Sequence, residues 1–525
     1  MKIFIKILAG IIVAVILIKL LTAIVLVPWL GSKLEAELNK ENGNYIVEID
    51  RIHILIGKSG IELDGISINS KQMHGGSHDL TAEIESLKLK GISLVKAILW
   101  HNIHISTVTI SNSIIKGKIP FSESALPPIV SPFRIGIGRL LFEKVNLEMK
   151  NDSTAESYSL KDGELKIYDL LVEKQDTLFP GAIKLFDYEA GEIESVSPGN
   201  MYTYKITGTS YTAASNTLTI DSLYIHPNYS DYDFTSRYKY QTNRIEAVLS
   251  NIYIHDFYHS GQFRSMSLVS PYLEIGKMDI KIFKDKRKEF MHIIKPALQD
   301  MLYAWPGTIR IDSIGLTNGD VVLTVHAGKA NEAGSISFNE INAKLYNITN
   351  DTVYKTETAY LGIKAEALLM GKGKMTLSFK GKLFEKENTF TMKGSLSNLE
   401  IKELNPILEK NAFIYASSGR IDEMYFSHTA NNTKSAGTLT IIYNGLNVTV
   451  KNKQTDDTTA FRERFISFIA NRRILDSNPV AHEKVRVGII DYERDPERLI
   501  FHYWFNSILS GITSSLTKST GKKIK

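Results

Sequence analysis

Cysteine is absent from the chain. That excludes structural disulfides, thiolate metal sites, a cysteine nucleophile and a lipidated cysteine. It fixes no compartment, although a chain without thiols tolerates an oxidising space such as a bacterial envelope. A strong excess of one charge is missing as well. Lys+Arg 62 against Asp+Glu 57 leaves a net +5, which is no nucleic-acid footprint and only a weak attraction to anionic lipid.

The motifs of common catalysts are missing too. There is no Walker loop, and GKGK at Gly371–Lys374 does not make one. No G-x-G-x-x-G opens a helix and no G-x-S-x-G elbow occurs. Ser93 and Lys96 match S-x-x-K without its companion motifs, and the many Asp and Glu single out no glycosidase pair. The 13 histidines are scattered. His255 and His259 have H-x-x-x-H spacing but no Glu beside the first, so they read as loop or strand-end residues. The expectation is a non-enzymatic protein without cofactor or metal.

Membrane-length apolar runs are scarce; there is one. Ile7–Val27 is apolar apart from Lys19 and Thr22 and long enough for a hydrocarbon core of roughly 30 Å. Lys2 and Lys6 precede it, which favours a cytoplasmic N-terminus. Pro28 and Trp29 follow it. No small-x-small cleavage site closes the run, so a retained transmembrane helix is preferred to a signal peptide.

What is abundant is one strand pattern. Ten stretches carry apolar residues at positions 1, 3, 6 and 8 of an eight-residue unit. VEIDRIHI (Val47–Ile54) and IELDGISI (Ile61–Ile68) come first, and IIYNGLNV (Ile441–Val448) comes last. Alternation with period two marks a strand with one apolar face. The extra residue between the two halves returns the second pair to the first pair's face. A β-bulge does this; a tight turn between short strands is the rival. Repeated bulges curl a sheet.

The chain divides into a transmembrane anchor (1–30), a β-groove entrance (31–119), a middle β-region (120–284), a helical segment (285–307), a second β-region (308–457) and a helical capping region (458–525). The polar stretch Gly31–Asn44 and Thr458–Arg473 read as helices. Ser93–Trp100 reads as a partial helix or loop plug, and the four prolines of Pro120–Pro132 mark a boundary or edge loop. Lys286–Ala304 is a helix candidate that Pro296 kinks or splits. Glu497–Leu516 places Tyr503 and Trp504 at helical spacing. It either closes the end of the sheet or lies on a membrane. Arg494 and Arg498, beside Asp495-Pro496-Glu497, either open that helix with ion pairs or touch lipid headgroups or a partner.

The anchor ending at Pro28, the blocks YIVEIDRIHILIGKSGIELDGISI, LTAEIESLKLKGISL and NIHISTVTISNSIIK, and the late blocks GTLTIIYNGLNVTV, ANRRILDSNP and RDPERLIFHYWFNSILSGI occur in an order that resembles the AsmA-like family of bacterial envelope proteins. The resemblance implies a taco-like β-groove related to bridge-type lipid-transfer proteins. It also implies an inner-membrane anchor, a periplasmic body and a part in moving phospholipid to the outer membrane. It supplies no catalytic residues.

Together these readings lead to a mostly β protein: one long curled antiparallel sheet forming a groove, with an N-terminal transmembrane helix and a few short capping helices. Acyl chains would occupy Ile49, Ile52, Ile54, Leu63, Ile66 and Ile68 near the entrance. Leu87, Leu89, Ile103, Ile105, Val108 and Ile110 would continue the path. Arg494, Arg498, Tyr503 and Trp504 are the candidate C-terminal contact with a membrane or partner. The expected partners are a phospholipid or other acylated envelope lipid, the inner membrane and an outer-membrane or periplasmic protein, without nucleic acid. A structural or regulatory scaffold for outer-membrane assembly, its apolar faces packed on one another, is the alternative.

Overall fold

The computed structural model describes residues 39, 45–55, 59–70, 80–92, 102–118, 134–172, 185–260, 267–354, 356, 359–450 and 474–516. The chain forms two compact units. Unit 1 comprises Met1–Asn228 with Ser260–Ser265, and unit 2 comprises Tyr229–His259 with Met266–Lys525. The apolar run Ile7–Val27, the loop plug Ser93–Trp100, the boundary Pro120–Pro132 and the helix Thr458–Arg473 lie outside the described residues, as does all of Gly31–Asn44 except Asn39. Among the described residues no helix is long and apolar enough to cross a membrane. The expected transmembrane helix falls on residues outside that search, and the inner-membrane, periplasmic localisation resting on it gains no support from the described residues.

The strands of unit 1 are β1 (Tyr45–Leu55), β2 (Gly60–Ser70), β3 (Leu80–Ile92), β4 (Asn102–Lys118), β5 (Arg134–Asn151), β6 (Glu156–Val172), β7 (Leu185–Val196), β8 (Tyr202–Thr212) and β9 (Thr217–Pro227). Each pairs with the next. β4 and β5 are parallel, so the all-antiparallel expectation is corrected there. A parallel pair needs a long crossover, and the proline-rich stretch between these strands supplies the length.

The extra residue of the repeat is a kink inside continuous strands, not a turn. In β1 and β2, Ile49 pairs with Ile66 and Arg51 with Asp64. Asp50 and Gly65 thus drop out of the ladder opposite each other. The same interruption passes to Glu85, Asn112 and Lys144 on the next three strands. Because neighbouring strands kink together, register survives on both sides. A true register shift occurs only between some strands, such as β5 and β6. Gly65, Asn112 and Lys144 take φ of 64°, 52° and 51°, a left-handed conformation that glycine and asparagine adopt most readily. A Cβ on Gly65 would lie 2.1 Å from Asp50 Oδ2, so glycine is also required for space.

Unit 2 opens with α1 (Asp231–Ser236), followed by β10 (Asn243–His255), β11 (Tyr258–Ser260), β12 (Ser267–Asp285), α2 (Leu298–Tyr303), β13 (Ile309–His326), β14 (Gly334–Thr349), β15 (Tyr360–Leu369), β16 (Gly373–Lys382), β17 (Phe390–Glu400), β18 (Ile414–Ala430), β19 (Lys434–Val450), β20 (Val487–Glu493) and α3 (Ile500–Ser515). β10 pairs with β12, and β12 through β20 pair in sequence order. β12 and β13 are parallel, a second departure from the antiparallel expectation. Of the helix expected over Lys286–Ala304, only α2 forms. Pro296 disfavours helix at the residue before it, and Lys295 N–H donates instead to Pro496 O at 2.8 Å.

α3 packs on the sheet and covers its last strand. Ile500, Tyr503 and Trp504 enter the core beside Phe379, Phe390, Leu439 and Ile490. Ser514 Oγ accepts the Ile489 N–H at 3.1 Å and Ser510 Oγ accepts the Asp491 N–H at 3.3 Å. The helix thus satisfies edge groups that would otherwise template pairing with another chain.

His428 is 2 % exposed and lies near the rings of Phe390 and Phe426, at 6.2 and 6.1 Å. Neither ring nitrogen has a hydrogen-bond partner. Burial pushes its pKa down to about 4. Folding therefore favours neutral imidazole. The contribution is complete above the unfolded value of about 6.5 and is lost as pH falls towards 4, by up to about 3 kcal/mol. Urea midpoints of the wild type should drop between pH 7 and pH 5 more than those of His428→Leu; equal drops would place the acid sensitivity elsewhere.

The open apolar groove is corrected by burial. Leu63, Ile68, Leu87, Leu89 and Ile105 are each 0 % exposed, and Ile66, Ile103, Val108 and Ile110 are each 1 % exposed, all in one packed cluster of unit 1. Ile49 and Ile52 pack against it half-buried, whereas Ile54 is 63 % exposed. A path for acyl chains needs apolar side chains that a tail can reach. These side chains already have neighbours on their own scale, as a folded core does. Among the described residues no curled groove is shown, and phospholipid carriage is withdrawn with it.

Candidate functional site

The strands of unit 2 carry a concavity. A depression of about 830 Å³ crosses β12 to β18. Leu316, Ala343, Ala365, Leu377 and Phe426, paired in one apolar row, line it together with the polar residues on either side of that row. Tyr272 and Glu274 come from β12, Thr317 from β13, and Asn342, Lys344 and Tyr346 from β14. Lys364 and Glu366 come from β15, Thr376 and Ser378 from β16, Lys393 and Ser395 from β17, and Tyr425 from β18.

Register sorts these side chains into two rows across the sheet. In the first, Lys344 faces Lys364, Lys364 faces Ser378 and Ser378 faces Lys393. In the second, Asn342 faces Glu366, Glu366 faces Thr376, Thr376 faces Ser395 and Ser395 faces Tyr425. Thr376 and Ser395 share a hydrogen bond of 2.6 Å. Lys344, Lys364, Lys393, Glu274 and Glu366 join no ion pair among the described residues. Two lysines directly opposite each other repel, and the depression carries Lys344, Lys364 and Lys393 against Glu274 and Glu366.

Three tyrosines complete the surface, and a glycine makes room for one of them. A Cβ on Gly315 would lie 2.5 Å from Tyr272 Oη. That ring thus lies over a neighbouring strand where no side chain stands. Tyr425 is 51 % exposed, and its hydroxyl is bonded to the Glu423 carboxylate, which raises its pKa. The face therefore offers flat aromatic surface, hydroxyl and amide hydrogen bonding, and a lysine row. Among the described residues no group of three or more His, Asp or Glu is placed to hold a metal ion.

The C-terminal candidates lie elsewhere. Tyr503 is 2 % and Trp504 7 % exposed, so both rings belong to the core beneath α3. Arg494 donates to Asn432 Oδ1 at 3.2 Å and to Lys295 O at 2.9 Å. Arg498 lies 3.6 Å over the ring of Phe290 and 3.5 Å from Asp495 Oδ2. The outward apolar side chains of this helix are Phe501 and Phe505.

The polar face escapes a search for apolar periodicity because its signal is the complement of that pattern. IKAEA at Ile363–Ala367 alternates cleanly, and its even positions are the lysine and glutamate of the depression. No protein-family model matches the chain, and no curated protein sequence matches it.

Proposed function

We propose that the protein is a non-enzymatic binding protein that takes an acidic glycan across the polar face of unit 2. The observation carrying this reading is the row of Lys344, Lys364 and Lys393, held with no acidic partner on a concave face that also bears tyrosine rings. Sugar hydroxyls suit Asn342, Thr376, Ser378 and Ser395, and apolar sugar faces suit tyrosine. Carboxylate or other acidic substituents suit the lysines, which stand one or two strand spacings apart, about 4.8 Å each. A chain lying across the strands meets both rows at once. Binding needs no catalytic group, in keeping with the absence of catalytic motifs from the sequence.

The test is calorimetric titration of full-length protein with acidic and neutral glycans of equal length. Lys364→Ala and Tyr346→Ala should each weaken acidic-glycan binding by about tenfold, near 1.4 kcal/mol. Added salt should weaken it further. Lys364→Ala should not lower thermal stability, since Lys364 is exposed and faces another lysine. Equal affinity for neutral and acidic glycans, or variants that bind like the wild type, would remove the proposal.

A further inference from the structure

The register of unit 2 constrains more than the charge of a ligand in the depression. Followed from strand to strand, the lysine row begins at Glu274 on β12 and Gly315 on β13. It continues through Lys344, Lys364, Ser378 and Lys393 on β14 to β17. Each step is one strand spacing, about 4.8 Å, close to the length of one sugar unit in an extended glycan. A glycan lying across the strands therefore sets one sugar over each strand.

Acidic sugars do not suit every step. An acid over β12 meets the Glu274 carboxylate, and one over β16 meets only the Ser378 hydroxyl. Taken alternately, the steps form two sets. β13, β15 and β17 bring Gly315, Lys364 and Lys393, two cations and no acid. β12, β14 and β16 bring Glu274, Lys344 and Ser378, in which carboxylate cancels cation. Lys344 stands directly opposite Lys364 and reinforces the first set. Lys374 and Lys380, also exposed on β16, lie outside the lining of the depression, and Lys380 stands 4.0 Å over the ring of Tyr360. Neither fills the gap at Ser378.

The second polar row applies the same selection at the other edge of the glycan. A flat glycan ribbon turns each sugar over relative to the last, so neighbouring sugars send their substituents to opposite edges. With acids directed at Lys364 and Lys393, the sugars over β14 and β16 face Asn342 and Thr376. Glu366, which joins no ion pair among the described residues, stands in register between those two. Hydroxyl or amide substituents suit that edge, and a carboxylate there is repelled. Selectivity thus comes from a repelling group as well as an attracting one.

We propose that the polar face of unit 2 selects glycans in which acidic and neutral sugars alternate, with successive acids at Lys364 and Lys393 and a neutral sugar over Ser378. The inference rests on the acidic-glycan reading above and narrows it.

Calorimetric titration of full-length protein with three hexasaccharides tests it. Hyaluronan alternates acidic and neutral sugars, oligomannuronate is acidic at every sugar, and cellohexaose is neutral. Hyaluronan should bind about tenfold tighter than oligomannuronate, although it carries half the carboxylates. Lys393→Ala should weaken hyaluronan binding by about tenfold, and Lys344→Ala by less. Glu366→Gln, at an exposed position, should strengthen oligomannuronate severalfold and leave hyaluronan nearly unchanged. Oligomannuronate binding as tightly as hyaluronan, with both above cellohexaose, would overturn the alternation and leave the acidic-glycan reading in place. Equal gains for both acidic glycans in Glu366→Gln would overturn it too. No preference of either acidic glycan over cellohexaose would overturn both.

Discussion

Leu87→Asp should leave unit 1 unfolded. Leu87 is 0 % exposed and stands in register between Leu63 and Ile110, which are 0 % and 1 % exposed. Removing its side chain from a filled site costs about 2–5 kcal/mol. An unpaired carboxylate in the same place adds about 3–5 kcal/mol more. The sum rivals the whole stability of an ordinary domain. Leu87→Met, which keeps volume and polarity, should cost less than about 1.5 kcal/mol. Circular dichroism and limited proteolysis would read the difference. A Leu87→Asp protein that stays folded with its strands protected would mean that this face is open to solvent or ligand, contrary to the burial observed.

Gly488→Val should detach α3 from the sheet. A Cβ at Gly488 would lie 2.0 Å from the carbonyl oxygen of Gly511, which is backbone and has no rotamer to change. Gly511 is just as confined: a Cβ there would lie 2.8 Å from Ile490 Cγ1 and from Leu439 Cβ. Helix and strand thus touch through two glycines, and a larger residue forces them apart. Overpacking alone costs about 1–3 kcal/mol. Displacement would also expose Trp504 and Tyr503 and uncover the N–H groups of Ile489 and Asp491, each worth about 1 kcal/mol. We expect a loss of about 3–5 kcal/mol from unit 2 in urea titrations, early proteolysis near the C-terminus, and self-association through the bared edge of β20. An unchanged midpoint would show that the sheet does not depend on this helix.

Much of the strand content was legible because its cause is local. The 1-3-6-8 pattern shows that Val47, Leu63, Ile84 and Val108 belong to one face of kinked strands, and the left-handed Gly65 sits at a join the pattern marks. What covers that face is not local. Leu87 in a lipid path and Leu87 in a core have the same neighbours in sequence, and only packing distinguishes them. The parallel pairing of β4 with β5 was hidden for a similar reason, because a boundary loop and a crossover read alike. The lysine row depends on register: Lys344, Lys364 and Lys393 are unremarkable until β14 to β17 are aligned. Trp504 lies on a helix whose two readings, closing the sheet or lying on a membrane, the sequence leaves open. An amphipathic helix fits a membrane or a sheet equally well, and the sheet claims the larger part of its apolar side.

Hydrogen–deuterium exchange of full-length protein, with and without an acidic glycan that binds it, tests the central claim most directly. The account expects protection concentrated on β14 to β17, where the two polar rows cross, with little change in the buried strands β2 to β4. Protection confined to unit 1, or no binding by any acidic glycan across a broad panel, would contradict it.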